Sequence, residues 1–164
     1  MRPRLRPDPS SFLVEIFAVS AAALVLEISY TRIISFKLYY YYTYLVIGLA
    51  LLGLGSGAVL VAVSRRLAAW PTRSLLRGLS LAAAAAVVAG YVAIAVMPLD
   101  TLALWSQDRS ASIVAVLQLV GICIGLYVSF LPIGMIIATL FARRPDQINR
   151  LYFADLAGGR TAWR

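Results

Sequence analysis

Residues 12–34 read FLVEIFAVSAAALVLEISYTRII, and no residue from Leu38 to Ser64 is charged. The two apolar segments are joined by the tyrosine-rich corner KLYYYYTY at residues 37–44. The hydrocarbon core of a bilayer is about 30 Å thick and needs roughly 20 helical residues, so each segment is long enough to cross it. Tyrosine concentrates where hydrocarbon meets headgroups. This stretch therefore predicts a helical hairpin whose corner lies at one membrane face.

The composition extends the membrane interpretation to the whole chain. Of 164 residues, 62% are hydrophobic and 13% charged, and the mean hydropathy is +0.86. A soluble domain of this length could not bury so much apolar surface. The net charge of +8 comes from residues at the ends of apolar segments, which is the pattern of membrane proteins and not of a nucleic-acid surface. We expect the lipid bilayer, and no nucleic acid, as a partner.

The chain divides into a basic leader at 1–11, a transmembrane domain at 12–142 and a tail at 143–164 that is cytoplasmic or begins a fifth helix. The leader and first span also resemble a signal peptide, but the apolar run is too long and lacks a cleavage site before a polar mature chain. The predicted fold is all-α, a polytopic bundle with spans at 12–34, 42–64, 78–99 and 110–142. The last span is longer than an upright crossing needs and contains Pro132, so we expect it to be kinked or strongly tilted.

The loops predict the orientation, because cytoplasmic loops are enriched in lysine and arginine. Ten such residues lie in the leader, in the loop after the second span and just after the fourth span: Arg2, Arg4, Arg6, Arg65, Arg66, Arg73, Arg77, Arg143, Arg144 and Arg150. The opposite loops carry at most three, Lys37, Arg109 and Arg32. We therefore expect a cytoplasmic N-terminus and two hairpins that both return to the cytoplasm.

Glu27 is the strongest candidate for a functional residue. A carboxylate inside a spanning helix is costly unless it is protonated, paired or facing water. Tyr30, Tyr91 and Gln118 are predicted at similar depths, so the hypothesis is a buried polar layer of Glu27, Tyr30, Tyr91 and Gln118. The alternative is that Glu27 makes a hydrogen bond that only specifies how the helices pack.

Glycines mark the predicted helix-packing surfaces. Gly53 with Gly57, and Gly121 with Gly125, form small-xxx-small pairs that allow close backbone approach. The run LLGLGSGAVL also resembles the glycine-rich loop of an adenosylmethionine-binding Rossmann domain. That alternative needs a strand–loop–helix and a following acidic residue, yet the glycines lie in an unbroken apolar span and the next acid is Asp100.

No catalytic set is apparent in the sequence. Histidine is absent, the single cysteine, Cys123, has no base beside it, and no pair of carboxylates lies on a polar face. The sequence therefore predicts no catalytic residue, no metal ligand and no cofactor.

Two stretches carry a resemblance to a known family: EIFAVSAAALVLEISYTRIISFKLYYYYTYLVIGLALLGLGSGAVL at 15–60, and ARRPDQINRLYFADLAG at 142–158. Together they resemble the N-terminal membrane region of bacterial spermidine-synthase-like proteins. In that family a multi-helix, transporter-like domain precedes a cytosolic aminopropyltransferase domain. The resemblance implies a multi-pass protein of the bacterial inner membrane. No residue of these 164 matches the family's catalytic domain, and the ending GRTAWR after Gly158 departs from the family, so we expect a shortened or frame-shifted reading frame that lacks this domain.

Two functions follow from the residues and the resemblance. The first is a membrane module that is not catalytic by itself and whose catalytic partner domain is missing. The alternative is a small transporter-like subunit in which Glu27 binds a cationic solute such as a polyamine, and which forms a homo-oligomer to enclose a path.

Overall fold

The computed structural model describes residues 9–38, 42–97, 109–143 and 148–162, which form six helices and no strand. The helices are α1 (Pro9–Leu38), α2 (Thr43–Val63), α3 (Arg65–Ala69), α4 (Thr72–Val96), α5 (Arg109–Ala142) and α6 (Ile148–Thr161). Four of them, α1, α2, α4 and α5, are long and apolar enough to cross a membrane. The prediction of an all-α fold with four spans is confirmed.

The helix bounds differ most from the prediction between the second and third spans. The predicted loop after residue 64 contains the short helix α3 and the first turns of α4, which begins at Thr72 and not at residue 78. Pro71 is the N-cap residue of α4, a region where the missing N–H of proline costs nothing. Leu75 and Leu79 are buried four residues apart on one face, so packing extends the helix beyond its apolar span.

The surface of the bundle is apolar. Leu81 is 74% exposed, Leu117 64% and Leu51 63%, and each lies within a candidate span. Between 17% and 28% of the most apolar window of each span is buried inside the protein. Since exposed apolar side chains at this density are unfavourable in water, lipid is the solvent that this surface fits.

Helix α5 lies at the centre of the bundle and touches the backbone of α2. A Cβ atom on Gly53 would lie 2.8 Å from Phe130 Cβ, and one on Gly57 would lie 2.9 Å from the Met135 backbone nitrogen. Gly134 of α5 meets the backbone of Leu54 in the same way. Any larger residue at these three positions would push the two helices apart.

The contact between α5 and α4 depends on a different glycine. Gly121 and Gly125 do face α4, but a Cβ on Gly125 would make only an ordinary contact, 3.8 Å from Gly90 Cα. The tight position is Gly90 itself, where a Cβ would lie 3.0 Å from the Tyr30 hydroxyl and 3.1 Å from the Gly125 carbonyl oxygen. The close approach predicted from Gly121 and Gly125 is thus provided by a glycine on the partner helix.

Two clusters of buried side chains fill the interior. The first cluster contains Ala23, Tyr30, Ile34, Val46, Ala50, Ile94, Ile122, Leu126, Phe130 and Ile133. The second cluster contains Ile16, Leu75, Leu79, Ile136, Leu140 and Leu151. Both include residues of α1 and α5, so the core continues along these two helices. In the centre of the first cluster the rings of Tyr30 and Phe130 meet edge to face, with centroids 6.1 Å apart.

Basic side chains stabilise helix ends at both ends of the bundle. Lys37 Nζ donates hydrogen bonds to the carbonyl oxygens of Ile94, at 2.7 Å, and Ala95, at 2.9 Å. These carbonyls belong to the last turn of α4, where a cation also opposes the negative end of the helix dipole. At the other end of the bundle, Arg143 donates to the carbonyl oxygens of Leu67 and Trp70.

The fourth span is one continuous helix through the buried Pro132. At 1.5 Å per residue, the 34 residues of α5 reach about 51 Å, well beyond the hydrocarbon core. Residues 39–41 of the predicted tyrosine corner and residues 98–108, where the third span was predicted to end, lie outside the described residues.

Replacing Gly57 by alanine should destabilise the bundle by about 1–3 kcal/mol, because the new methyl group meets backbone atoms of α5 that cannot move separately. Unfolding by sodium dodecyl sulfate in mixed micelles measures this change. Gly55→Ala is the matched control, since a Cβ at Gly55 has no neighbour within 4 Å. The control should be neutral or stabilising by up to about 1 kcal/mol through helix propensity. Equal losses in both variants would contradict the packing argument.

Candidate functional site

Helix α6 packs along α1 and forms one wall of a cavity. The backbone of Gly158 lies directly against the backbone of Phe17, and a Cβ on Gly159 would lie 3.0 Å from the Leu24 side chain. The Ser20 hydroxyl donates a hydrogen bond to the Asp155 carboxylate. The pairs Ser20 with Asp155 and Leu24 with Gly159 advance in the same direction along both helices. Because Gly158 has no side chain, α6 can approach α1 closely enough to place Asp155 on the cavity side.

The cavity between α1, α2, α5 and α6, called here the α1/α6 cavity, has a volume of about 690 Å³. Small and apolar residues form most of its wall: Ala23, Leu24, Leu54, Ala58, Gly134, Ile137, Ala138, Phe141, Leu156 and Gly159. Volumes between roughly 300 and 1,000 Å³ are typical of sites for small organic molecules.

Among the residues that the structure describes, four with polar side chains line the α1/α6 cavity: Ser20, Glu27, Asp155 and Arg160. Ser20 and Asp155 bond to each other. Glu27 is half-buried and Arg160 is exposed. Within the described ranges, neither the carboxylate of Glu27 nor the guanidinium of Arg160 has a hydrogen bond or an ion pair.

The unpaired carboxylate gives the α1/α6 cavity its chemistry. Glu27 lies in the candidate span Phe12–Lys37, where bulk water is excluded and an unpaired charge is costly. An ammonium or guanidinium group entering the cavity would meet a hydrogen-bond acceptor of opposite charge. The site can therefore bind a cation, while no nucleophile lies beside a general base in the described lining.

Tyr30 belongs to a different polar cluster, at the meeting of α1, α4 and α5. It is 1% exposed, and its hydroxyl donates to the Val87 carbonyl oxygen at 3.2 Å and lies 3.2 Å from Ser129 Oγ. Ser129 in turn donates to the carbonyl oxygens of Gly125, at 2.7 Å, and Ala86, at 3.2 Å. These bonds join three helices, so the cluster specifies packing and presents no free group to a ligand.

The remaining two residues of the predicted polar layer lie elsewhere. Tyr91 is 54% exposed, which corrects the expectation that it is buried: the face of α4 turned toward α5 is the one that carries Gly90. Gln118 is half-buried on α5, and its amide makes no hydrogen bond to any residue that the structure describes. Glu27, Tyr30, Tyr91 and Gln118 therefore do not form one layer.

The sequence does not identify the polar residues that the structure places near Tyr30 and Glu27. Ser20 and Ser129 are hydroxyls within long apolar runs, where nothing distinguishes them from solvent-facing or lipid-facing serines. Asp155 and Arg160 lie in the tail, where the spacing of apolar and small residues indicates a helix that packs by one face. Leu151, Ala154 and Gly158 recur at intervals of three and four residues, which is the spacing of one helix face. The structure buries Leu151 and Gly158 and exposes Arg150 and Tyr152, as expected of a helix docked by that face.

A second groove lies between α1 and α4, with a volume of about 580 Å³. The part of its lining that the structure describes is apolar apart from Ser29 and Ser80, and includes no charged residue. It therefore offers hydrocarbon contact but no group that could orient a polar ligand.

Comparison with known proteins adds no constraint on this site. No protein-family model matches the chain, and neither a curated protein nor a solved structure matches it.

Removing the Tyr30 hydroxyl by Tyr30→Phe should lower the free energy of unfolding by about 1 kcal/mol, because hydrogen bonds to α4 and α5 are lost inside the bundle. Tyr91→Phe is the matched control and should change it by less than about 0.5 kcal/mol, since Tyr91 is exposed. Denaturation in mixed micelles compares the two. An equal effect of both variants would show that the Tyr30 hydroxyl does not stabilise the bundle.

Proposed function

We propose that this chain is an integral membrane module of the kind that precedes the catalytic domain in bacterial spermidine-synthase-like proteins, and that it is not catalytic by itself. One observation supports the proposal. The two stretches that carry the resemblance, 15–60 and 142–158, include the surfaces through which α1 and α6 pack together, at Phe17 with Gly158 and at Ser20 with Asp155. The similar parts of the sequence are thus parts of one structural unit.

The proposed location is the bacterial inner membrane, with the N-terminus in the cytoplasm. The four candidate spans and the apolar surface support membrane insertion. The arginines support the orientation, because Arg65 and Arg66 lie in α3 and Arg73 and Arg77 in the first turns of α4, and all four are exposed at the same end of the bundle. This orientation places the start of α6 at the cytoplasmic face.

Reporter fusions test the proposed topology. Green fluorescent protein fused at the N-terminus or after Pro71 should fluoresce, whereas alkaline phosphatase should be active when it is fused within residues 39–41 or 98–108 and inactive at the first two positions. Active phosphatase at the N-terminus would contradict the orientation.

An enzyme assay tests the non-catalytic role. The purified chain without a fusion should transfer no aminopropyl group from decarboxylated adenosylmethionine to a diamine, and measurable transfer would contradict that role. The DNA after the Arg164 codon, read in three frames, tests whether a catalytic domain is encoded there.

A second candidate function is a transporter-like subunit that binds a cationic solute, of which a polyamine is the class that the family resemblance suggests. The observation that favours it is Glu27, an intramembrane carboxylate that lines the α1/α6 cavity without a partner among the described residues. A transporter must enclose a path across the bilayer, so this function includes assembly into a homo-oligomer.

Glu27→Gln should weaken the binding of radiolabelled spermidine by at least about tenfold, because the neutral amide loses the charge that holds an ammonium group. Glu15→Gln is the matched control, since Glu15 is exposed on the same helix and does not line the cavity. Binding is measured on the purified chain in neutral detergent. Lost binding with unchanged unfolding supports a functional Glu27. Disassembly of the bundle would instead identify Glu27 as a packing residue.

A further inference from the structure

Among the described residues, two carboxylates and one guanidinium line the α1/α6 cavity, Glu27, Asp155 and Arg160. Asp155 accepts a hydrogen bond from the neutral hydroxyl of Ser20 and keeps its charge. The Glu27 carboxylate and the Arg160 guanidinium line the same cavity, yet they form no ion pair with each other or with any other residue in the described part of the chain. Both groups are therefore available to a ligand in the same cavity.

These charges restrict the class of ligand. A molecule with only positive charge would leave the Arg160 guanidinium without a counter-charge, and a molecule with only negative charge would be repelled by the two carboxylates. A molecule that carries both charges satisfies both groups. In a low-dielectric site each of these contacts is stronger than in water, and leaving either group unpaired is correspondingly unfavourable.

We propose that the α1/α6 cavity binds a zwitterion with a hydrocarbon body, whose ammonium group pairs with Glu27 and whose phosphate or carboxylate pairs with Arg160. Guanidinium groups bind both kinds of acid through two parallel hydrogen bonds. The apolar wall, which includes Leu24, Leu54 and Phe141, contacts the hydrocarbon part. The inference rests on the role that the second candidate function gives to Glu27, which is to hold an ammonium group, and it replaces the cationic solute by a zwitterion. Two sources share this chemistry, a phospholipid headgroup and a free apolar amino acid.

The test uses the full chain in maltoside detergent with five probes. Dihexanoyl phosphatidylethanolamine and leucine are the zwitterions from the two sources. Octylammonium carries only the positive charge, dihexanoyl phosphatidylglycerol only the negative one, and spermidine is the polyamine. Binding to the unaltered chain is compared with binding to Glu27→Gln and Arg160→Gln. The matched controls are Glu15→Gln and Arg150→Gln, because both residues are exposed on the same two helices and do not line the cavity.

At least one zwitterion should bind, and both Glu27→Gln and Arg160→Gln should weaken its binding by at least about tenfold, while the controls change it by less than about twofold. Arg160→Lys keeps the charge and should retain binding to within a few-fold, which separates loss of charge from loss of folding.

Octylammonium should bind less tightly than the zwitterion, and Arg160→Gln should strengthen the binding of octylammonium. Preference for phosphatidylethanolamine over leucine identifies a lipid site, and the reverse preference identifies a solute site.

The outcomes separate this inference from the second candidate function. If spermidine binds in a Glu27-dependent manner while neither zwitterion binds, or while Arg160→Gln leaves zwitterion binding unchanged, the cavity is a simple cation site and the zwitterion proposal is overturned. If no probe binds, or if binding is insensitive to both Glu27 and Arg160, the zwitterion proposal and the second candidate function both fail.

Discussion

The bundle depends on how closely the backbone of α5 approaches α2 and α4. In lipid, apolar side chains gain little by leaving the solvent, so helices associate through van der Waals packing and hydrogen bonds. Gly53 and Gly57 provide the contact with α2, and Gly90 provides the contact with α4. The second contact also brings Ser129 within hydrogen-bond distance of the Ala86 carbonyl and the Tyr30 hydroxyl. The polar cluster therefore exists because a glycine lets the helices meet.

The number of spans could be predicted because an uncharged run of twenty or more residues has few alternatives. The start of α4 could not, because Arg73 and Arg77 look like loop residues until Leu75 and Leu79 are seen to be buried. Tyr91 shows a second limit. Hydropathy estimates the depth of a residue in the bilayer, whereas its direction around the helix axis depends on which face packs, and that face is determined here by a single glycine in an alanine-rich run.

In the candidate site, likewise, one residue could be predicted from its local sequence, but the residues around it depend on the tertiary structure. Glu27 could be singled out because a carboxylate in an apolar run has a cost that the sequence alone reveals. Its surroundings could not be predicted, since Asp155 and Arg160 come from α6, more than a hundred residues away along the chain. Their position depends on the docking of α6 against Phe17 through Gly158. The chemistry of the cavity is thus a product of two distant segments.

The hydrogen bonds from Lys37 to α4 set the vertical register of two spans. The ammonium group is at the end of α1 and its acceptors, the carbonyls of Ile94 and Ala95, are at the end of α4. A slip of one helical turn, about 5.4 Å, would break both bonds and expose the last carbonyls of α4. The first and third spans make few other direct contacts, so these bonds couple the heights of their ends, and a change in bilayer thickness that shifts one span acts on the other through Lys37.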